Sequence, residues 1–191
     1  CLHCGSDCSR DNLHRDMPLD DFLKALETIE KPARHFTVVL TGGEPLLRED
    51  LEICGREIRR RGMRWSMVTN GMRYTDGRHA SLLSAGLGAL TISLDGLEGS
   101  HDHLRGNGAF RRLMQTCERL KKENFPYTLS MCVTSANVHE MADIVELARH
   151  IGAGNLHFMW YFVRGRGGGE GIAPRGTAAA SRTGSHAQAG G

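Results

Sequence analysis

Phe36-Thr37-Val38-Val39-Leu40-Thr41-Gly42-Gly43-Glu44-Pro45 joins a short β-branched, apolar run to a turn that opens on two glycines. Such a run predicts a buried parallel strand, and glycine at its end lets main chain approach a ligand closely. Upstream, Leu19, Phe22, Leu23, Leu26 and Ile29 recur at helical spacing behind Pro18, a residue suited to a first helical turn. Downstream, Leu47, Leu51, Cys54 and Ile58 share a helical face. Arg59, Arg60 and Arg61 follow just before Gly62, where cations complement the helix dipole and glycine ends the helix.

The pattern repeats along the chain. Trp65 to Thr69 is strand-like and stops at Asn70-Gly71, a weaker helix covers about 77–85, and Ala89 to Leu94 is a strand that stops at Asp95-Gly96. Phe110, Leu113, Met114, Cys117 and Leu120 mark a helix, Tyr127 to Val133 a strand, and Met141, Ile144, Val145 and Ala148 another helix, before Leu156 to Phe162 closes the series. Five strands alternating with helices predict a parallel α/β sheet with right-handed crossovers. The loop Cys1-Leu2-His3-Cys4-Gly5-Ser6-Asp7-Cys8 precedes the first helix, where a strand-to-helix connection belongs. A sixth strand is therefore expected upstream of Cys1, and the start at Cys1 rather than Met points to a missing amino-terminal part.

With 191 residues, 40% of them hydrophobic, the chain supports one sizeable core, expected over 1–163. From Gly165 onward the only large aliphatic or aromatic residue is Ile172, so 164–191 is expected to be a disordered Gly/Ala/Arg-rich tail. Lys+Arg 24 against Asp+Glu 22 gives a net charge of +2, too little field to argue for nucleic acid or an anionic membrane. The short Arg164-Gly165-Arg166-Gly167 stretch does not alter that reading. No apolar run reaches the roughly 18 residues of a membrane span, and no export signal is visible. Cysteines bunched within eight residues then favour a reducing cytoplasm and a metal role over a disulfide framework.

The spacing of Cys1 and Cys4 alone is open between buried thiols, zinc and an iron–sulfur cluster, and Cys8 would extend it to C-x-x-C-x-x-x-C. Ser93 and Asp95 are equally open between ligand contact and a plain strand-ending turn. His101-Asp102-His103 reads as helix capping rather than a metal pair, and Cys54, Cys117 and Cys132 read as core residues. In a parallel α/β sheet ligands gather at the carboxyl ends of strands, and Gly42-Gly43-Glu44-Pro45, Asn70-Gly71 and Ser93-Leu94-Asp95-Gly96 all fall there.

Taken as an ordered set, these motifs resemble the core domain of the radical S-adenosylmethionine enzymes, whose signature is CxxxCxxC followed by a GGEP-like turn. Cys1-Leu2-His3-Cys4 matches the second half of that signature, with His3 in the position that often carries a ring. The closer resemblance is to the SPASM-type members, which modify peptides or proteins. It rests on Cys4 to Cys8, Thr41 to Pro45, Thr69-Asn70-Gly71, Ser93 to Gly96 and His101-Asp102-His103-Leu104-Arg105-Gly106, and it spans roughly 1–162.

The resemblance implies a partial (β/α)6 TIM-like barrel lacking its first strand. It also implies a [4Fe–4S] cluster held in part by Cys1 and Cys4, with S-adenosylmethionine on the open iron. Reductive cleavage of the sulfonium would yield a 5′-deoxyadenosyl radical that abstracts hydrogen from a peptide or protein, with a reductant such as a ferredoxin or flavodoxin. By the same resemblance Gly42, Gly43, Glu44 and Pro45 receive the methionyl amino group, Ser93 the ribose and Arg105 the methionyl carboxylate. Two departures stand out: the first cluster cysteine is expected upstream, and no cysteine follows Cys132 to build an auxiliary-cluster domain. The fragment alone is accordingly expected to be inactive. A radical enzyme acting on a small molecule, and a non-catalytic metal- or partner-binding module on the same fold, are the alternatives.

Overall fold

A computed structural model of the chain describes residues 1–5, 16–29 and 36–162. Cys8 and the expected tail from 164 lie outside the described residues. The helices are α1 (Leu19–Glu27), α2 (Leu51–Arg60), α3 (Asp76–Ser84), α4 (Glu98–Arg105), α5 (Ala109–Lys122) and α6 (Met141–Ile151). The strands are β1 (Thr37–Leu40), β2 (Arg64–Thr69), β3 (Leu87–Ser93), β4 (Tyr127–Val133) and β5 (Asn155–Trp160).

These strands form one sheet in the order β1-β2-β3-β4-β5, with every neighbouring pair parallel. Strictly sequential order means that each crossover carries its helix over the same side of the sheet. The result is an open segment of a (β/α) barrel rather than a doubly wound sheet, which reverses direction midway.

The burial pattern follows from that winding. Trp65, Met67, Leu90, Ile92, Leu129 and Met131 alternate onto the helix side and join Ile58, Leu82, Leu113, Leu120 and Ile144 in a single core. The other face carries Ser66, Val68, Thr91, Ser93, Thr128, Ser130 and Cys132, all half-buried. The core reading of Cys54 and Cys117 therefore holds, whereas Cys132 sits on the uncovered face of β4. The stretch expected to be a buried strand, β1, is instead an edge: Phe36 and Val39 are exposed and Val38 and Leu40 half-buried, because β2 is its one partner among the described residues.

Two local features depart from the sequence pattern. Leu47 does not extend the apolar face of α2; it ends a 3-10 turn, Pro45–Leu47, and is exposed. Helix α4 had no strong periodic signal, being short, polar and followed by Gly106; it is held inward by Leu104 and His101, both buried. Asp102 within it accepts the Gly108 and Phe110 amides at 2.6 and 2.8 Å, so the capping role falls on the start of α5, the next helix. Among the described residues no helix is long and apolar enough to cross a membrane.

Candidate active site

Adjacent strands deliver their carboxyl-terminal turns to one rim. β1 feeds Thr41 to Pro45, and Gly42 has φ +148°, a value that L side chains rarely adopt; Gly42 and Gly43 are both exposed. Glu44 fastens this turn to the end of β2. Its Oε1 accepts the Thr69 hydroxyl at 2.7 Å and the Leu46 amide at 3.1 Å, and its Oε2 accepts the Asn70 amide at 2.8 Å. The carboxylate is thus largely occupied by its own fold, and the exposed main chain of Gly42-Gly43 is the part turned to solvent.

The end of β3 holds the densest polar network, centred on Asp95. Asp95 is fully buried; its Oδ1 accepts the Cys132 amide at 2.9 Å, its Oδ2 lies 3.2 Å from His3 Nε2, and the same oxygen is engaged by Arg105 Nε. Its own amide donates to His101 Nδ1 at 3.1 Å, and its carbonyl accepts from Asn137 Nδ2 at 2.8 Å. Burial by itself would push the Asp95 carboxyl up, but the Arg105 guanidinium and the hydrogen bonds from His3 and Cys132 outweigh it. They hold it well below the usual carboxylate range. Burial, reinforced by Arg105, pushes His101 down to about 4, which keeps the imidazole neutral and able to accept the Asp95 amide.

This network reaches the cysteine loop. The Leu2 amide donates to Leu104 O at 2.9 Å, and Arg105 Nη1 lies 3.7 Å from Cys1 Sγ. Cys1 is exposed and Cys4 half-buried. An open cleft of about 560 Å³ is lined by Cys1, Leu2, His103, Leu104, Arg105 and Gly106. Ser93 is half-buried at the carboxyl end of β3, in register with Ser130, on the uncovered face. The structure therefore brings Cys1, His3, Asp95 and Arg105 together at the end of β3, while the Gly42-to-Pro45 turn follows β1, two strands along the sheet, and is tied by Glu44 to the end of β2 between them. Ser93 stands two residues from Asp95.

The local sequence hid several members of this network. His101, read from the sequence as part of a capping stretch, is instead buried against the Asp95 amide, and Asn137 and Glu140 carry no motif signal, yet Glu140 accepts the Leu97 amide and the Ser100 hydroxyl, both at 2.7 Å, and closes the turn after Asp95. A Cβ on Gly96 would stand 2.4 Å from Glu140 Oε2, so the glycine is required by that approach. Asp95 itself was visible as a strand-end residue, but its role as a junction was not.

The donor set suits an iron–sulfur cluster in kind. The Cys1 thiol has the Arg105 guanidinium beside it, with Nη1 at 3.7 Å, so a positive charge stands next to one candidate sulfur ligand. His3 Nδ1 is buried with no hydrogen-bond partner among the described residues, a polar atom that a group seated at the loop could satisfy. Among the described residues no group of three or more His, Cys, Asp and Glu is gathered for a metal ion.

The profile of the Radical SAM superfamily matches residues 1–148. The chain belongs to that superfamily. Radical SAM proteins work with a [4Fe–4S] cluster and S-adenosylmethionine, the two cofactors expected from the motifs. An AdoMet-dependent heme synthase from Methanosarcina barkeri is 32% identical over 172 residues, covering 87% of this chain and 48% of that protein. The sporulation killing factor maturation protein SkfB of Bacillus subtilis is 30% identical over 117 residues, or 61% of this chain and 28% of its own length. The crystal structure of Streptococcus suis SuiB bound to S-adenosylmethionine superimposes with a TM-score of 0.70 at 14% identity, covering 85% of this chain and 37% of that one. That likeness establishes the shared fold. The chain spans about half the length of the heme synthase it matches.

Proposed function

We propose that this chain is the core, over 1–163, of a radical SAM enzyme that cleaves S-adenosylmethionine reductively and uses the resulting radical to modify a peptide or protein. The observation that carries the reading is the common rim: the Cys1 thiol and Arg105 lie by the end of β3, and the exposed Gly42-Gly43 turn after β1 is fastened by Glu44 to the end of β2, the strand between them. When bound, the cluster and S-adenosylmethionine supply one-electron cleavage of the sulfonium C–S bond and a 5′-deoxyadenosyl radical.

The chain's own residues supply position and shelter. Cys1 and Cys4 ligate iron, and the Gly42-Gly43 main chain accepts the methionyl ammonium while Glu44 and Pro45 keep the turn in place. The Ser93 hydroxyl is placed for the ribose. Arg105, with Nε committed to Asp95, keeps its outer nitrogens for charge near Cys1, the methionyl carboxylate included. The cytoplasm is the proposed compartment, and a ferredoxin or flavodoxin the proposed electron donor, since the exposed Cys1 thiol and a low-potential reaction both call for a reducing setting.

The peptide reading is supported by similarity to SkfB and to a PqqA peptide cyclase from Bradyrhizobium diazoefficiens, 25% identical over 158 residues, 82% of this chain and 41% of that protein. A small-molecule substrate is the second reading, favoured by the longer match to the AdoMet-dependent heme synthase. Anaerobic reconstitution of the intact protein with iron and sulfide, followed by assay for 5′-deoxyadenosine, tests the chemistry. Release that disappears in Cys1→Ala and Cys4→Ala supports it, and no release from reconstituted wild type overturns it. Deuterium carried into 5′-deoxyadenosine from labelled peptides, or instead from labelled tetrapyrrole carboxylates, separates the two substrates.

A further inference from the structure

Arg105 is held in an unusual way for a residue at the end of a short helix. Its side chain is 11% exposed and the Asp95 side chain 1%, so the pair is sheltered from the screening that weakens surface ion pairs. Asp95 is itself fixed from several directions: the Cys132 amide of β4, His3 of the cysteine loop, the His101 ring and the Asn137 side chain all bond to its carboxylate or main chain. A carboxylate so restrained cannot swing away, and by engaging Nε it dictates where the rest of the guanidinium fork points. One outer nitrogen of that fork, Nη1, lies 3.7 Å from Cys1 Sγ.

We propose that Asp95 and Arg105 form a charge-compensated strut that holds a hydrogen-bond donor on the Cys1 sulfur and thereby tunes the electron affinity of the cluster this sulfur ligates. Asp95 touches neither the sulfur nor the cluster; it fixes where Arg105 points and, as the buried opposite charge of the pair, offsets part of its field. The proposal rests on the reading of Cys1 as a cluster ligand. Hydrogen bonds to cluster sulfurs and nearby net charge both set the reduction potential. A cation beside the sulfur eases electron uptake and an anion opposes it, so the two members of the strut act with opposite sign. An ordinary structural latch has no such signature, because loss of either half loosens the same joint.

The test is the midpoint potential of the cluster in the intact, reconstituted protein, read by electron paramagnetic resonance during redox titration, with iron content and urea midpoint measured alongside. Arg105→Gln should lower the potential and Asp95→Asn raise it, each by at least a tenfold change in the reduction equilibrium, about 59 mV for one electron. The double variant should return toward wild type, and Arg105→Lys, which keeps the charge, should stay closer to wild type than Arg105→Gln. Should Asp95→Asn fail to fold, the contrast between Arg105→Gln and Arg105→Lys decides. Equal potentials in all variants that bind a full complement of iron, or shifts of one sign for both halves, overturn the strut. Failure of the wild type to bind a cluster at all would instead overturn the function proposed above.

Discussion

Replacing Glu44 with alanine removes one carboxylate that accepts from three donors: the Thr69 hydroxyl at 2.7 Å, the Asn70 amide at 2.8 Å and the Leu46 amide at 3.1 Å. Hydrogen bonds to a charged group contribute about 1.5–3 kcal/mol each when sheltered. Glu44 is half-buried, so water can replace part of what is lost, and the net cost is expected at about 2–4 kcal/mol. For a chain of this length that corresponds to a fall in Tm of about 4–16 °C. Glu44→Gln should cost about half as much: one amide oxygen can serve Thr69 and Leu46 or Asn70, while the amide nitrogen then faces a donor. Urea and thermal unfolding followed by circular dichroism give the totals. Hydrogen exchange at the Asn70 and Leu46 amides shows whether the loss is local. A Glu44→Ala protein within about 0.5 kcal/mol of wild type, the range of a plain surface change, with Asn70 protection unaltered, would refute the claim that this carboxylate ties the β1 turn to β2.

Two further outcomes follow from the same contacts. Gly55 in α2 faces the fully buried Trp65, and a Cβ there would meet the indole ring at 2.4 Å while Trp65 Nε1 is tied to Ala85 O at 3.0 Å. Alanine gains about 1 kcal/mol of helix propensity over glycine, but overpacking against an immobile ring costs about 1–3 kcal/mol. Gly55→Ala should therefore lower the urea midpoint, and an unchanged or higher midpoint would show that the helix shifts freely. The second concerns pH. His101 is depressed from 6.5 to about 4 in the folded chain, so the unfolded chain binds the extra proton between those values and the native state loses stability as pH falls through that window. The loss should approach about 3 kcal/mol by pH 4, from 1.36 kcal/mol per unit, and should shrink in His101→Gln; equal pH slopes for the two proteins would rule it out.

Much of the architecture was legible residue by residue. Apolar and β-branched runs ended by turn residues placed the five strands of the described residues, and helical apolar spacing placed α1, α2, α5 and α6; α3 was read as a weaker helix, and α4 was missed because its polar sequence offers no stripe to read. The turn Gly42-Gly43 and the strand-end residue Asp95 were visible because glycine and acidic side chains interrupt apolar runs at strand ends. The edge position of β1 was not, since four apolar or β-branched residues look the same whether one neighbour or two lie beside them. Nor was the exposure of Cys132, which depends on which face of β4 the helices cover.

Taken alone, the order of residues determined the class of fold, and it offered the turns at the carboxyl ends of strands as candidate binding positions and the thiol pair as a candidate ligand set, because runs, turns and spacings are written locally. The tertiary structure alone decided what Asp95 does. Its partners His3, Arg105, Cys132 and Asn137 come from four separate segments, and only the stacking of β3 against β4, with α4 folded back over the cysteine loop, puts the Asp95 carboxylate within reach of the first three and its carbonyl within reach of Asn137. A buried charge must be met by donors wherever the fold can supply them, and linear spacing carries no record of which ones those are.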